Sequence, residues 1–71
     1  MTDARDTPAR TWQYRFSDTD GNEFETGAFT DDDAALARAE DLSRTRNIPV
    51  VIHRLRGHVD WQYVTEADER P

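Results

Sequence analysis

Aromatic residues alternate strictly with polar ones in one segment near the start of the chain. Trp12, Tyr14 and Phe16 fall on one side of an extended backbone. Gln13 and Arg15 fall on the other side. This period of two, combined with aromatic residues, is typical of a half-buried β-strand. Such a strand needs a neighbouring strand and a covering element, and a chain of 71 residues must supply both within one domain.

Three further strands are predicted from similar signals. After the turn sequence Asp-Thr-Asp-Gly-Asn, a second strand is predicted at residues 23–29, because glycine tolerates the positive φ of tight hairpin turns. Residues 48–56 are rich in β-branched side chains and predict a third strand. After a turn at Gly57, residues 59–65 predict a fourth. The chain therefore contains two predicted hairpins.

One helix is predicted between the hairpins, at residues 31–46. Thr30 is a favourable N-cap residue, and Asp33 follows three residues later in a capping-box arrangement. At the other end, Asn47 is a favourable C-cap residue, and Pro49 prevents the helix from continuing.

This order of elements predicts an α+β fold. Two hairpins form a four-stranded, mainly antiparallel sheet, and one helix packs on one face of it (ββαββ). The domain is predicted to span residues 11–65. Residues 1–10 and 66–71 are polar and lack periodicity, so we interpret both as disordered tails.

One helix covers only one face of a four-stranded sheet, so the large apolar side chains must gather on that face. The covered face is predicted to hold Trp12, Tyr14, Phe16, Phe24, Val50, Ile52, Trp61 and Tyr63. The face away from the helix, termed the helix-free face, is predicted to present Gln13, Arg15, Glu25, Val51, His53, Leu55, Gln62 and Val64. In the third strand the opposite assignment stays open, because a register shift of one residue exchanges the two faces.

Several short motifs are distributed over the predicted helix and the second hairpin. They are Thr30–Ala35 at the helix start, Ala39 and Leu42 within the helix, and Val51–Arg54 with Gly57 in the second hairpin. Across residues 12–64 the chain resembles a family of short bacterial ββαββ domains of unknown function. The resemblance implies the fold and supplies no activity. All nine basic residues are arginine, which is also typical of a high-GC bacterium.

The net charge of −6 is unevenly distributed along the chain. Residues 42–59 contain four arginines and no acidic residue, whereas the flanking segments are acidic. The overall acidity disfavours non-specific binding to nucleic acid or anionic membranes. With no cysteine, no secretory signal and no apolar run of about 20 residues, we expect a cytoplasmic protein with no membrane contact.

No residue pattern predicts a metal site or a catalytic centre. Asp18 to Asn22 matches the first ligand positions of an EF-hand loop, but the required glycine is replaced by Glu23 and the required glutamate by Phe29. Two histidines without cysteine fall short of the four ligands of a zinc site. We therefore expect no metal, no cofactor and no enzymatic activity.

Two surfaces are candidates for binding a partner. The first is an apolar patch on the helix-free face, and it predicts a protein-interaction or regulatory module that self-associates or binds another protein. This patch consists of Val51, Leu55 and Val64 beside His53. The alternative is a nucleic-acid-binding module that uses a cluster of four arginines. That cluster consists of Arg44, Arg46, Arg54 and Arg56.

Overall fold

The computed structural model describes residues 10–70, so the tail predicted at residues 1–10 lies outside the described residues except for Arg10. The elements are β1 (Trp12–Ser17), β2 (Glu23–Phe29), α1 (Asp32–Arg46), β3 (Val50–Arg56) and β4 (Asp60–Ala67). The four strands form one antiparallel sheet in the order β2-β1-β3-β4. The predicted α+β, ββαββ fold is confirmed.

The core lies between α1 and one face of the two central strands. β1 and β3 bury alternate side chains on this face, as their period of two predicts. The apolar and aromatic side chains that the strands bury completely on this face are Tyr14, Phe16, Val50 and Ile52. α1 contributes Ala35, Ala39 and Leu42, and the two alanines let the helix axis approach the large rings closely.

Two β-bulges interrupt the alternation in the edge strands. Phe16 pairs with Glu25 and Ser17 pairs with Glu23, so Phe24 is an extra residue in β2. In β4 the extra residue is Val64, which lies between the partners of two consecutive β3 residues. Both extra residues pack against the core. Because of the extra residue, the side chains beyond each bulge lie on the face opposite to the one that strict alternation predicts.

The bulges correct the predicted contents of the two faces. Trp61 and Tyr63 were expected on the covered face but lie on the helix-free face, because they pair with Leu55 and His53 respectively. Val64 was expected on the helix-free face but packs against the core. The expectation was wrong because it continued a strict period of two through an irregular strand.

Glu25 and Gln62 are likewise on the side opposite to the one predicted. Glu25 accepts two hydrogen bonds of 2.7 Å from the guanidinium of Arg38 on α1, so it belongs to the covered side. Gln62 pairs with Arg54, whose side chain reaches the helix. For β3 the predicted assignment is confirmed, since Val50 and Ile52 are buried in the core.

The last strand extends two residues past the predicted domain boundary at 65. Glu66 and Ala67 belong to β4, and Ala67 is buried. The Ser43 hydroxyl donates to the Ile48 carbonyl at 2.6 Å and accepts from the Glu69 amide at 2.8 Å. These bonds attach the end of the described chain to the end of α1.

The helix begins one residue later than predicted and ends where predicted. Asp31, not Thr30, is the N-cap, and its carboxylate accepts from the Ala34 amide at 2.8 Å. The predicted capping box between Thr30 and Asp33 was therefore wrong by one residue. Asn47 is the C-cap in the left-handed conformation (φ 59°), and its amide donates to the Ser43 carbonyl.

The left-handed backbone at Asn47 makes a substitution test possible. We expect Asn47→Ala to lower the free energy of unfolding by about 1 kcal/mol, because a Cβ without a polar group disfavours this conformation. Asn47→Gly should leave stability unchanged or raise it slightly. Urea denaturation measures both, with Thr45→Ala on the exposed helix surface as the control. Equal stability of the two Asn47 variants would contradict this explanation.

Candidate interaction surface

The helix-free face carries a cluster of aromatic, basic and apolar side chains. We term Arg15, His53, Leu55, Trp61 and Tyr63 the aromatic cluster. Arg15 pairs with His53 across β1 and β3, and His53 pairs with Tyr63 across β3 and β4. Leu55 pairs with Trp61 one step further along the same hairpin. The antiparallel register therefore brings together side chains from three strands.

Specific contacts orient the members of the aromatic cluster. The guanidinium carbon of Arg15 lies 4.9 Å from the ring centroid of Trp61, which is a cation–π distance. The rings of His53 and Tyr63 meet edge to face, with centroids 6.2 Å apart and an interplanar angle of 80°. Tyr63 is 63% exposed, and the other members are half-buried. The side chains of the aromatic cluster are therefore ordered before any partner binds, and the cluster remains accessible to solvent.

Two buried nitrogens in the aromatic cluster have no hydrogen-bond partner among the described residues. They are Nδ1 of His53 and Nε of Arg15. The pKa of His53 lies below its ordinary value of 6.5, because burial disfavours the charged ring and the positive charge of Arg15 opposes protonation. His53 is consequently neutral at pH 7.

The lowered pKa of His53 makes stability depend on pH. The unfolded chain takes up a proton near pH 6.5, whereas the folded chain does so only at lower pH. Stability should therefore fall as the pH drops below 6.5. An NMR titration should give a midpoint below 6.5 that Arg15→Gln raises and Arg56→Gln leaves in place. A midpoint that does not respond to Arg15→Gln would contradict the proposed cause.

The structure does not bring the four predicted arginines together. Arg44 and Arg46 lie in the last turn of α1. Arg54 lies beside the first turn, where its guanidinium is 3.0 Å from a carboxylate oxygen of Asp32. β3 runs back along the helix, so closeness in sequence becomes separation in space. The arginines form two separate groups, not one basic surface.

Most of the arginine charge is already engaged within the chain. Arg44 lies 3.8 Å from Asp41 and 3.7 Å from Glu69. The guanidinium carbon of Arg46 is 4.4 Å from the ring centroid of Phe24. Arg56 is exposed and lies at the end of β3, next to the second hairpin turn. These contacts further reduce the capacity of this segment to attract phosphate groups.

A partly buried hydrogen-bond network connects the start of α1 with the sheet. The Tyr14 hydroxyl donates to Asp32 Oδ1 at 2.6 Å, and the same oxygen accepts from Arg54. Burial first, and then the hydrogen bond to Asp32, raises the pKa of Tyr14 from 10.0 to about 12. The network fixes the helix relative to both central strands.

The raised pKa of Tyr14 predicts alkaline destabilisation. The unfolded chain loses the phenolic proton near pH 10, whereas the folded chain keeps it until about pH 12. Stability should therefore decline by about 2 kcal/mol as the pH rises from 10 to 12. Denaturation at several pH values should show this slope in the Tyr63→Phe control and lose it in Tyr14→Phe. An unchanged slope in Tyr14→Phe would contradict the assignment.

An open pocket of about 330 Å³ lies beside this network. The ring of Trp12 forms one wall, with the guanidinium carbon of Arg54 5.3 Å from its centroid. Thr30 and the three aspartates at the helix start line the rest. Of these aspartates, Asp31 caps the helix and Asp32 belongs to the network. Within residues 10–70, no group of three or more acidic or histidine side chains is placed to hold a metal ion.

The turn that resembles an EF-hand loop uses its first carboxylate internally. Asp18 accepts hydrogen bonds of 2.9 Å from the amides of Asp20 and Asn22, which close the first hairpin. The bond from the Asn22 amide is the main reason that the pKa of Asp18 is lowered. Gly21 supplies the positive φ (90°) that this turn requires.

Sequence reasoning found part of this surface and missed its aromatic rings. His53, Leu55 and Val51 lie on the helix-free face as predicted, whereas Trp61 and Tyr63 were assigned to the core. The Trp-Gln-Tyr segment of β4 has the same alternation as that of β1, so its local pattern gave no signal for the opposite face. The face on which Trp61 and Tyr63 lie depends on the bulge residue Val64, and hydrophobic periodicity does not reveal a bulge.

No protein-family model matches the chain, and neither a curated protein nor a solved structure matches it. The resemblance to short bacterial ββαββ domains stays a prediction. Across the part of the chain that the structure describes, no helix is both long enough and apolar enough to cross a membrane. The geometry of the helix-free face is therefore the basis for a functional proposal.

Proposed function

We propose that the chain is a non-enzymatic, cytoplasmic protein-interaction module that presents its helix-free face to a protein. The observation that carries this proposal is the aromatic cluster. Trp61 and Tyr63 lie on a sheet face that no described element covers. Trp, Tyr and Arg are the residue types that contribute most strongly to binding energy at the centres of protein interfaces.

The contacts within the aromatic cluster also support binding without large rearrangement. Arg15 is held over Trp61, and His53 is held against Tyr63. Side chains that are ordered before binding lose less conformational entropy in the complex. Val51, which is half-buried on the same face, extends the apolar part of the surface.

Site-specific crosslinking inside the producing cell tests this proposal. A photoreactive amino acid at position 63 should give a discrete covalent adduct with a protein, and Leu55→Glu should remove it. The same photoreactive residue at position 37, on the exposed side of α1, is the control. If position 63 gives no adduct, or the same adducts as position 37, the proposed function is wrong.

Single-stranded nucleic acid is the second candidate ligand for the same face. A sheet with exposed aromatic rings and a neighbouring arginine is suited to base stacking. This candidate differs from the predicted arginine cluster, because Arg15 replaces the dispersed arginines. The face also carries Glu66, and the molecule has a net charge of −6, so we favour protein.

Oligonucleotide binding separates the two candidates. Fluorescence anisotropy of labelled single strands at low salt should show no binding if the partner is a protein. Binding that is lost in Tyr63→Ala and kept in Arg46→Ala would instead assign nucleic acid to the helix-free face. Binding that is lost only in Arg46→Ala would favour the arginine surface at the end of α1.

A further inference from the structure

We infer that the protein bound by the helix-free face is a second copy of this chain, packed face to face with its strands running in the opposite direction. This inference rests on the proposed function and names the partner. Its support comes from the order of charges across the sheet and from the small size of the core.

Two adjacent rows of side chains on the helix-free face have complementary charge. Ser17 pairs with Glu23 and Val51, and Val51 pairs with Glu66, so one row has an acid at each edge. The next row contains Arg15 at its centre, beside the neutral His53. An acidic row therefore lies directly next to a basic row.

This layout selects one orientation of a two-fold dimer. An axis parallel to the strands exchanges the edges of the sheet and places Glu23 of one copy opposite Glu66 of the other. An axis across the strands, between the two rows, instead brings Glu23 of each copy beside Arg15 of the other. The second arrangement replaces repulsion with attraction, and a two-fold axis forms each contact twice.

The core of a single copy is small for independent stability. Within residues 10–70 it comprises eight buried hydrophobic residues, and Ala35, Ala39 and Ala67 are three of them. Domains of this size commonly obtain further stability from oligomerisation when disulfides and metals are absent. In the dimer the row of Arg15 and His53 in each copy packs on the row of Ser17 and Val51 in the other, which adds a second layer of contacts between the sheets.

The available area fits a reversible dimer. A four-stranded face of this length offers roughly 500 Å² per copy, given the usual strand spacing and rise per residue. Burial of roughly 1,000 Å² in total lies at the lower end of specific interfaces. We therefore expect a dissociation constant in the micromolar range.

Sedimentation equilibrium of the full chain tests the dimer and its location. The unmodified chain should dimerise at micromolar concentration. Leu55→Glu should raise the dissociation constant by roughly 100-fold, because it buries an unpaired charge in the interface. Ala37→Glu adds the same charge on the exposed side of α1 and should leave the constant unchanged. Circular dichroism verifies that both variants are folded.

A mixing experiment tests the orientation. Arg15→Glu and Glu23→Arg should each prevent homodimers, because each places like charges together twice. An equimolar mixture of the two variants should form a heterodimer, since both contacts then join opposite charges. Such rescue by mixing requires contact between chains, and an effect within one chain does not produce it.

Each remaining outcome has a defined meaning. A monomer at all accessible concentrations overturns the inference, and so does a dimer that Leu55→Glu leaves intact. If the chain is monomeric but position 63 crosslinks to a different protein, the inference fails and the proposed function stands. If neither a dimer nor a crosslinked partner is found, both fail. Homodimers that are broken by the single variants but not rescued on mixing overturn the inferred orientation.

Discussion

Phe16→Ala is expected to lower the free energy of unfolding by about 3–5 kcal/mol. Phe16 is fully buried in β1 and meets the ring of Phe29 edge to face at 5.8 Å. A domain of 71 residues has a total stability of roughly 4–10 kcal/mol. The variant should therefore lose between about a third and all of its stability, which circular dichroism and urea denaturation would measure.

A milder variant keeps this expectation testable if Phe16→Ala does not fold. Phe16→Leu leaves a smaller cavity and should lose about 1–2 kcal/mol. Val59→Ala is the control, since Val59 is 85% exposed at the second hairpin turn and should change stability by less than about 0.5 kcal/mol. Similar losses at positions 16 and 59 would show that the core is misassigned.

Asp32→Ala is expected to cost about 2–3 kcal/mol, more than any other substitution in the first turn of α1. It removes the acceptor of the buried Tyr14 hydroxyl and the partner of Arg54 at the same time. A buried donor that loses its partner pays its full desolvation cost.

Asp33→Ala is the matched control for Asp32→Ala. Asp33 lies in the same helical turn, and its negative charge also interacts favourably with the helix dipole, but its side chain is exposed. Its removal should cost only about 0.5 kcal/mol. Thermal and urea denaturation of the two variants measure the difference. Equal losses would mean that the dipole, and not the Tyr14 network, accounts for the effect of Asp32.

The central part of the fold was predictable because its side chains repeat regularly. The period of two in β1 and β3 assigned Phe16 and Ile52 to the core and His53 to the helix-free face. The C-cap followed from the known preference of Asn47 for a left-handed backbone. The N-cap differed by one residue because Thr30 and Asp31 are adjacent and both are favourable caps.

The predictions were wrong where the tertiary structure departs from what the local sequence pattern indicates. The phase of β4 depends on Val64, and an extra residue is not visible as an interruption of hydrophobic alternation. The arginine cluster failed for a different reason. β3 runs back along α1, from the end of the helix towards its start. Arg54 therefore lies beside Asp32 and away from Arg46. Only the three-dimensional path of the chain reveals that pairing.

The bulge at Val64 has a consequence for comparing this chain with relatives of different length. Thr65 and Tyr63 keep their partners Ile52 and His53 on either side of the extra residue. A chain that lacks only this residue would retain both faces of β4 in a regular strand. An alignment gap that separates such a relative from this chain therefore belongs at position 64. If the gap were placed at the Gly57 turn instead, Trp61 and Tyr63 would be matched with residues of the opposite orientation.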